Sequence, residues 1–139
     1  MAITRAETQV TWTSSPNTSA SVTAGSSQTS DLVSLDATCV NASITCKADN
    51  AGTPASGDII TFYWAASSGD PDGAATLEHP SNAANMEFLC QIDTFTYTDP
   101  DVKTISIPAV PYRGKVVAVS GAASNAITVS ATIEEQRAA

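Results

Sequence analysis

The stretch 115–135, KVVAVSGAASNAITVSATIEE, decides what kind of fold this chain can adopt. Two alternating apolar runs flank a turn made almost wholly of Ser, Gly, Ala and Asn. Val117 and Val119 share one face of the first run. In the second, Ile127, Val129, Ala131 and Ile133 alternate with Thr128, Ser130, Thr132 and Glu134. A period of two puts every second side chain on the same face of a pleated strand. The segment is therefore expected to form a half-buried antiparallel hairpin. Nothing reactive decorates it.

The same pattern continues upstream. In 59–66, Ile60, Phe62 and Trp64 face one way and Ile59 and Tyr63 the other, as in a central strand whose second face is partly covered. Further strands are expected at 8–13, with Val10 and Trp12 on one face, and around 20–24, 31–38 and 42–48. Another carries Ile105 and Ile107 and is ended by Pro108 and Pro111. Residues 86–97 change parity: Met86, Phe88, Cys90 and Ile92 keep one side, Phe95 and Tyr97 take the other. A one-residue slip turns over every later side chain, so a β-bulge near Asp93 and Thr94 would restore the pattern. Without it, Phe95 and Tyr97 point outward as a contact patch. Gly25, Ser26 and Ser27 mark a turn, and 49–58 and 67–85 read as loops, the second long enough to be functional. Eight or nine short strands without a convincing amphipathic helix predict an all-β fold. The expected form is an antiparallel β-sandwich, jelly-roll-like, with an immunoglobulin-like sandwich as the alternative. A chain of 139 residues can bury its core without staples. One domain is expected over 8–136, preceded by a flexible N-terminal arm, 1–7.

Composition narrows the function classes. Hydrophobic residues make up 42% of the chain, but many are Ala, and aromatics are only 6%. Charged residues are 14%, against a usual value of about 25%, so the surface is polar through hydroxyl and amide groups. The net charge is −8, and the six basic residues never form a run. Binding to phosphates needs clustered Lys and Arg, so no nucleic-acid partner is expected. The opening MAITRAETQV has no apolar signal region, and no apolar run approaches the ~20 residues that span a bilayer, so no membrane partner is expected either. Three cysteines, an odd number, are expected as free thiols. Cys46 and Cys90 alternate with apolar neighbours and read as small buried hydrophobes. The alternative to free thiols is a pairing of Cys39 with Cys46 across a short hairpin, and free thiols are the plainer reading.

Little here points to chemistry. His79, the one histidine, lies in the long loop beside Glu78, where solvation is the plainer reading than catalysis. No serine has the setting of a nucleophile elbow, and zinc spacing, a P-loop and a dinucleotide fingerprint are missing. Asp70-Pro-Asp72-Gly73 resembles the start of a calcium loop, and Asp99-Pro-Asp101 has the same form. The two acidic loops would need to meet to hold a cation, and Asp at turns has a simpler capping role. Neither enzymatic activity nor a cofactor is expected.

Three blocks carry a family likeness: SSPNTSASVTAGSSQTSDLVSLDAT, ASITCKADNAGTPASGDIITFYWAASSGD, and FLCQIDTFTYTDPDVKTISIPAVPYRGKVVAVSGAASNAITVSATIEEQR. Together they resemble small virion structural proteins of tailed bacteriophages, of the head-decoration or cement kind. The likeness spans roughly residues 10–134 and is one of pattern and composition. It implies a protein made in the host cytoplasm and carried on the capsid surface of the virion. The implied partners are the major capsid protein and further copies of this chain, most naturally as a trimer. A tail, neck or fibre component is the alternative within that class, and a carbohydrate-binding sandwich stacking sugar on Trp12, Trp64, Phe95 or Tyr97 is the alternative outside it. Two contact surfaces are expected. One is the arm and first strand, including Ile3, Arg5 and Trp12, laid on a neighbour as an added strand. The other is the 67–85 loop with Tyr112 and Arg113, residue types that often anchor interfaces.

Overall fold

Period-two alternation becomes ten strands in a computed structural model that describes residues 2–13, 17–66, 78–107 and 113–138. They are β1 (Ile3–Gln9), β2 (Ala20–Val22), β3 (Ser27–Thr29), β4 (Val33–Ser34), β5 (Cys39–Asn50), β6 (Ile59–Ala66), β7 (Glu87–Asp93), β8 (Asp101–Ile107), β9 (Arg113–Ser120) and β10 (Ile127–Ala138). A 3-10 turn, Ala83–Asn85, precedes β7, capped by the Asn82 side chain, which accepts the Ala84 N–H at 2.9 Å. One sheet has the order β1-β10-β5-β8, with β2 also on β10. The other has the order β3-β9-β6-β7, with β4 also on β9. All pairs are antiparallel.

The pairings nest. β6 pairs with β7, β5 with β8, β3 and β4 with β9, and β1 and β2 with β10. This is one long hairpin rolled around a core, the jelly-roll arrangement of a double-sheet sandwich. It sets aside the immunoglobulin-like alternative, in which the last two strands are neighbours in one sheet. It also corrects the reading of 115–135. β9 and β10 do not pair; the segment 121–126 carries the chain from one sheet to the other. Cys39 and Cys46 likewise lie on a single strand, β5, rather than across a hairpin.

The core explains the composition. Ile60, Phe62 and Trp64 point inward from β6, beside Val116 and Ala118 of β9. Ala42, Ile44, Cys46 and Ala48 from β5, with Ile127, Val129, Ala131 and Ile133 from β10, line the facing sheet. Small side chains in that sheet leave room for the aromatics of the other, so close packing is reached with few bulky residues. Val117 and Val119 do share a face, but the inward set of β9 is Val116, Ala118 and Ser120. All three cysteines are buried and free.

Two local expectations change. The bulge lies earlier than Asp93: Phe62 pairs with Cys90 and Tyr63 with Phe88, so Leu89 is the extra residue. That shift turns Leu89 and Cys90 inward and leaves Phe88, 58% exposed, packed edge-on against Tyr63 at 6.2 Å. Residues 1–7 are not a loose arm from Ile3 onward. Ile3–Gln9 pairs with β10 along its whole length, from Ile3 opposite Ala138 to Gln9 opposite Thr132. The chain then turns inward, burying Val10 and Trp12, and Trp12 bridges to Ser30 at the edge of the second sheet.

Candidate functional site

Rolling the hairpin brings β7 and β8, each paired on one side only among the described residues, to the same flank of the sandwich. Between them is a cleft of about 450 Å³, lined by Ile59, Gln91, Ile92, Asp93, Tyr97, Asp101, Val102 and Lys103. Ile92 closes the floor, since it belongs to the core. Tyr97 is 67% exposed, and Phe95 and Val102 on the same flank are also exposed. Here the outward alternative for Phe95 and Tyr97 is the observed one.

Asp93 sets the loop that carries these rings. Its Oδ1 accepts the N–H groups of Phe95 and Thr96, both at 2.9 Å, an Asx turn that fixes the chain as it leaves β7. The Thr96 backbone and hydroxyl, followed by the Phe95 N–H, hold the Asp93 carboxyl below the usual aspartate value. Asp101 opens β8 and accepts the Val102 N–H at 2.9 Å. Lys103 reaches across and donates from Nζ to the Gln91 carbonyl at 3.4 Å. This covers an outward backbone acceptor on the β7 edge.

Behind the cleft, buried polar side chains tie three loops together. Asp58, 1% exposed, accepts from Asn50 Nδ2 at 2.9 Å, Asn125 Nδ2 at 2.8 Å and the Ala55 N–H at 2.9 Å. Those donors, the Ala55 N–H foremost, keep its carboxyl below the usual range. Asn50 Nδ2 also donates to Thr94 Oγ1 at 3.0 Å, and Thr94 Oγ1 to the Asp58 carbonyl at 2.8 Å. Asp99, one of the candidate cation ligands, instead accepts the Asn50 N–H at 2.9 Å. Its role is structural.

The other expected residues separate. Asp70, Asp72 and Tyr112 lie outside the described residues. Among the described residues no group of three or more His, Cys, Asp and Glu side chains gathers to hold a metal. Arg113 is exposed at the start of β9. His79 Nδ1 sits 2.9 Å from the Ala65 carbonyl, to which it donates, so the ring anchors the chain to the end of β6. Trp12 and Trp64, both 0% exposed, are core residues, which removes Trp12 as a surface contact and both as platforms for sugar. Ile3 is exposed on β1, and Arg5 forms a 3.9 Å ion pair with Glu134 across the ladder.

One polar site was not foreseen. Glu135 continues the inward parity of Ile133 and is 1% exposed. Its carboxylate accepts from Arg137 Nη2 at 3.0 Å, from Arg137 Nε at 3.3 Å and from the Asp36 N–H at 2.8 Å. The signal in the sequence is positional: apolar alternation runs from Ile127 to Ile133, the same parity carried two residues on falls on Glu135, and Arg137 follows two residues later.

No protein-family model matches this chain, and a search of curated proteins finds no relative.

Proposed function

We propose that this protein is a structural component of a tailed-phage virion, a decoration or cement protein that binds the outside of the capsid. The observation that carries the reading is β1. Six of its seven residues are exposed and only Ala6 is half-buried, so the strand is held by its ladder to β10 and hardly at all by core contacts. A strand that adds so little to the core of its own subunit, and whose far edge pairs with no strand among the described residues, is suited to contact between subunits. Ile3 supplies an apolar contact and Arg5 a charged one on this edge. The jelly-roll core and the net charge of −8 support a protein that stays soluble at high copy number before assembly. Its partners in this reading are the major capsid protein and copies of itself, and a symmetric trimer would multiply weak polar contacts over the shell.

The test is mass spectrometry and imaging of purified virions, with wild-type protein and a variant lacking residues 1–8. A copy number on the order of the capsid subunits, with occupancy falling in the truncated variant, supports the proposal. A copy number set by tail symmetry would move the protein to the tail, and its absence from particles would overturn the reading. Because Val10 and Trp12 remain in the truncated chain, the core it needs is kept.

A further inference from the structure

We propose that the cleft between β7 and β8 is a binding site for neutral saccharides, with Tyr97 as the stacking platform and Asp93, Asp101 and Gln91 as the groups that read hydroxyls. The inference rests on the cleft alone and stands apart from the capsid reading. A sugar ring has an apolar face of C–H groups and a rim of hydroxyls, and its site needs both surfaces side by side. The cleft has that division. The Tyr97 ring and Val102 are exposed and apolar, and two carboxylates, an amide and an ammonium surround them. At about 450 Å³ it falls in the size range of small-ligand sites.

The polar groups are also placed in advance. The Phe95 and Thr96 N–H groups fix the Asp93 carboxylate through Oδ1 with the Thr96 hydroxyl beside it, and a carboxylate so held has acceptor sites left for a ligand hydroxyl. Asp101 is fixed in the same way by the Val102 N–H. An ionised carboxylate accepts hydroxyl hydrogen bonds more strongly than a neutral oxygen does, so two of them facing one cleft favour a ligand rich in donors. Charge selects among such ligands. Two carboxylates against one ammonium, in a chain of net charge −8, repel sulfated, phosphorylated and sialylated glycans. A peptide adding as a strand is disfavoured for a separate reason: Lys103 already occupies the Gln91 carbonyl on the β7 edge.

The experiment uses the full-length protein on an array of neutral and acidic oligosaccharides, followed by an amide NMR titration with the best neutral ligand at up to about 10 mM. The expected result is a neutral ligand that shifts amides within 91–103. Tyr97→Ala should weaken it at least about tenfold with an unchanged melting temperature, and Tyr97→Phe should stay within about threefold of wild type. Asp101→Asn should weaken binding without abolishing it. No array signal together with no shift at that concentration would overturn the proposal. So would binding that survives Tyr97→Ala, or a preference for acidic glycans. Virion occupancy plays no part in these readouts, so the two proposals fail independently.

Discussion

Gly114 has no side chain, and the indole of Trp64 lies where one would be. A Cβ at this position would overlap the Trp64 ring atoms, well inside van der Waals contact distance. Gly114 pairs with Ala66 on one side and Val33 on the other, so neither the backbone nor the ring can easily move away. Gly114→Ala should therefore destabilise the fold by about 1–3 kcal/mol, the usual penalty for overpacking a filled core. Denaturant unfolding followed by Trp fluorescence measures it, and a neutral result would mean that the ring has room to shift. Glu135 makes the same point with charge. Removing one partner of a buried pair leaves the other uncompensated, so Arg137→Met should cost about 2–4 kcal/mol. The cost falls below that of a fully buried pair because the Arg137 side chain is 31% exposed. Glu135→Leu combined with Arg137→Met should recover much of that loss, since a pair replaced by apolar groups leaves no orphan charge. A double-mutant cycle in thermal melts separates these outcomes.

At the scale of elements, alternation told which side chains are buried but not which strand lies beside which. Ile60, Phe62 and Trp64 were legible as an inward set because apolar residues on both faces mark a central strand, and β6 does lie between β9 and β7. The partners of β9 and β10 were not legible. Their six-residue connection carries no tight-turn signature, and the same alternation serves a hairpin or a crossing between sheets equally well. The bulge is not placed by pattern, because Phe88, Leu89 and Cys90 are all apolar and local alternation does not say which one is extra. Tyr97 and Asp101 were visible separately, as an aromatic and as an acidic turn residue. Their meeting with Gln91, Asp93 and Lys103 depends on β7 and β8 sharing a flank, which only the rolled topology determines. That flank carries a prediction of its own. Lys103 covers an edge carbonyl of β7, and an exposed edge without such cover is a template for pairing between chains. Lys103→Val should raise concentration-dependent self-association in light scattering while leaving the melting temperature within a few degrees. Unchanged monodispersity would mean that β7 is protected by its bulge alone.

The molecule as a whole sets two effects of acid against each other. At neutral pH the net charge of −8 keeps molecules apart, and the sequence pI near 4.2 places the loss of that repulsion just above the usual aspartate range. Asp58 and Asp93 have folded values below the ordinary 3.8, because backbone and side-chain donors stabilise their ionised forms. Asp36 is lowered too, chiefly by the Thr38 hydroxyl and N–H. A carboxyl lowered on folding contributes stability that is complete above its unfolded value and disappears as pH falls through its folded value. The contribution of these three groups is thus intact at pH 5 and lost only below about pH 4. Folded protein should consequently associate near its pI before it unfolds, and unfold at lower pH as the donors of Asn50, Asn125 and Ala55 lose their charged acceptor at Asp58. Light scattering and near-UV circular dichroism, recorded together from pH 7 to pH 2, would show scattering rise while tertiary structure persists. Asp58→Asn should remove much of the acid-unfolding step and lower stability at pH 7, because one of its donors must then face an N–H₂ group. If tertiary signal were lost above pH 5, the buried network would not be what holds the loops of this end together.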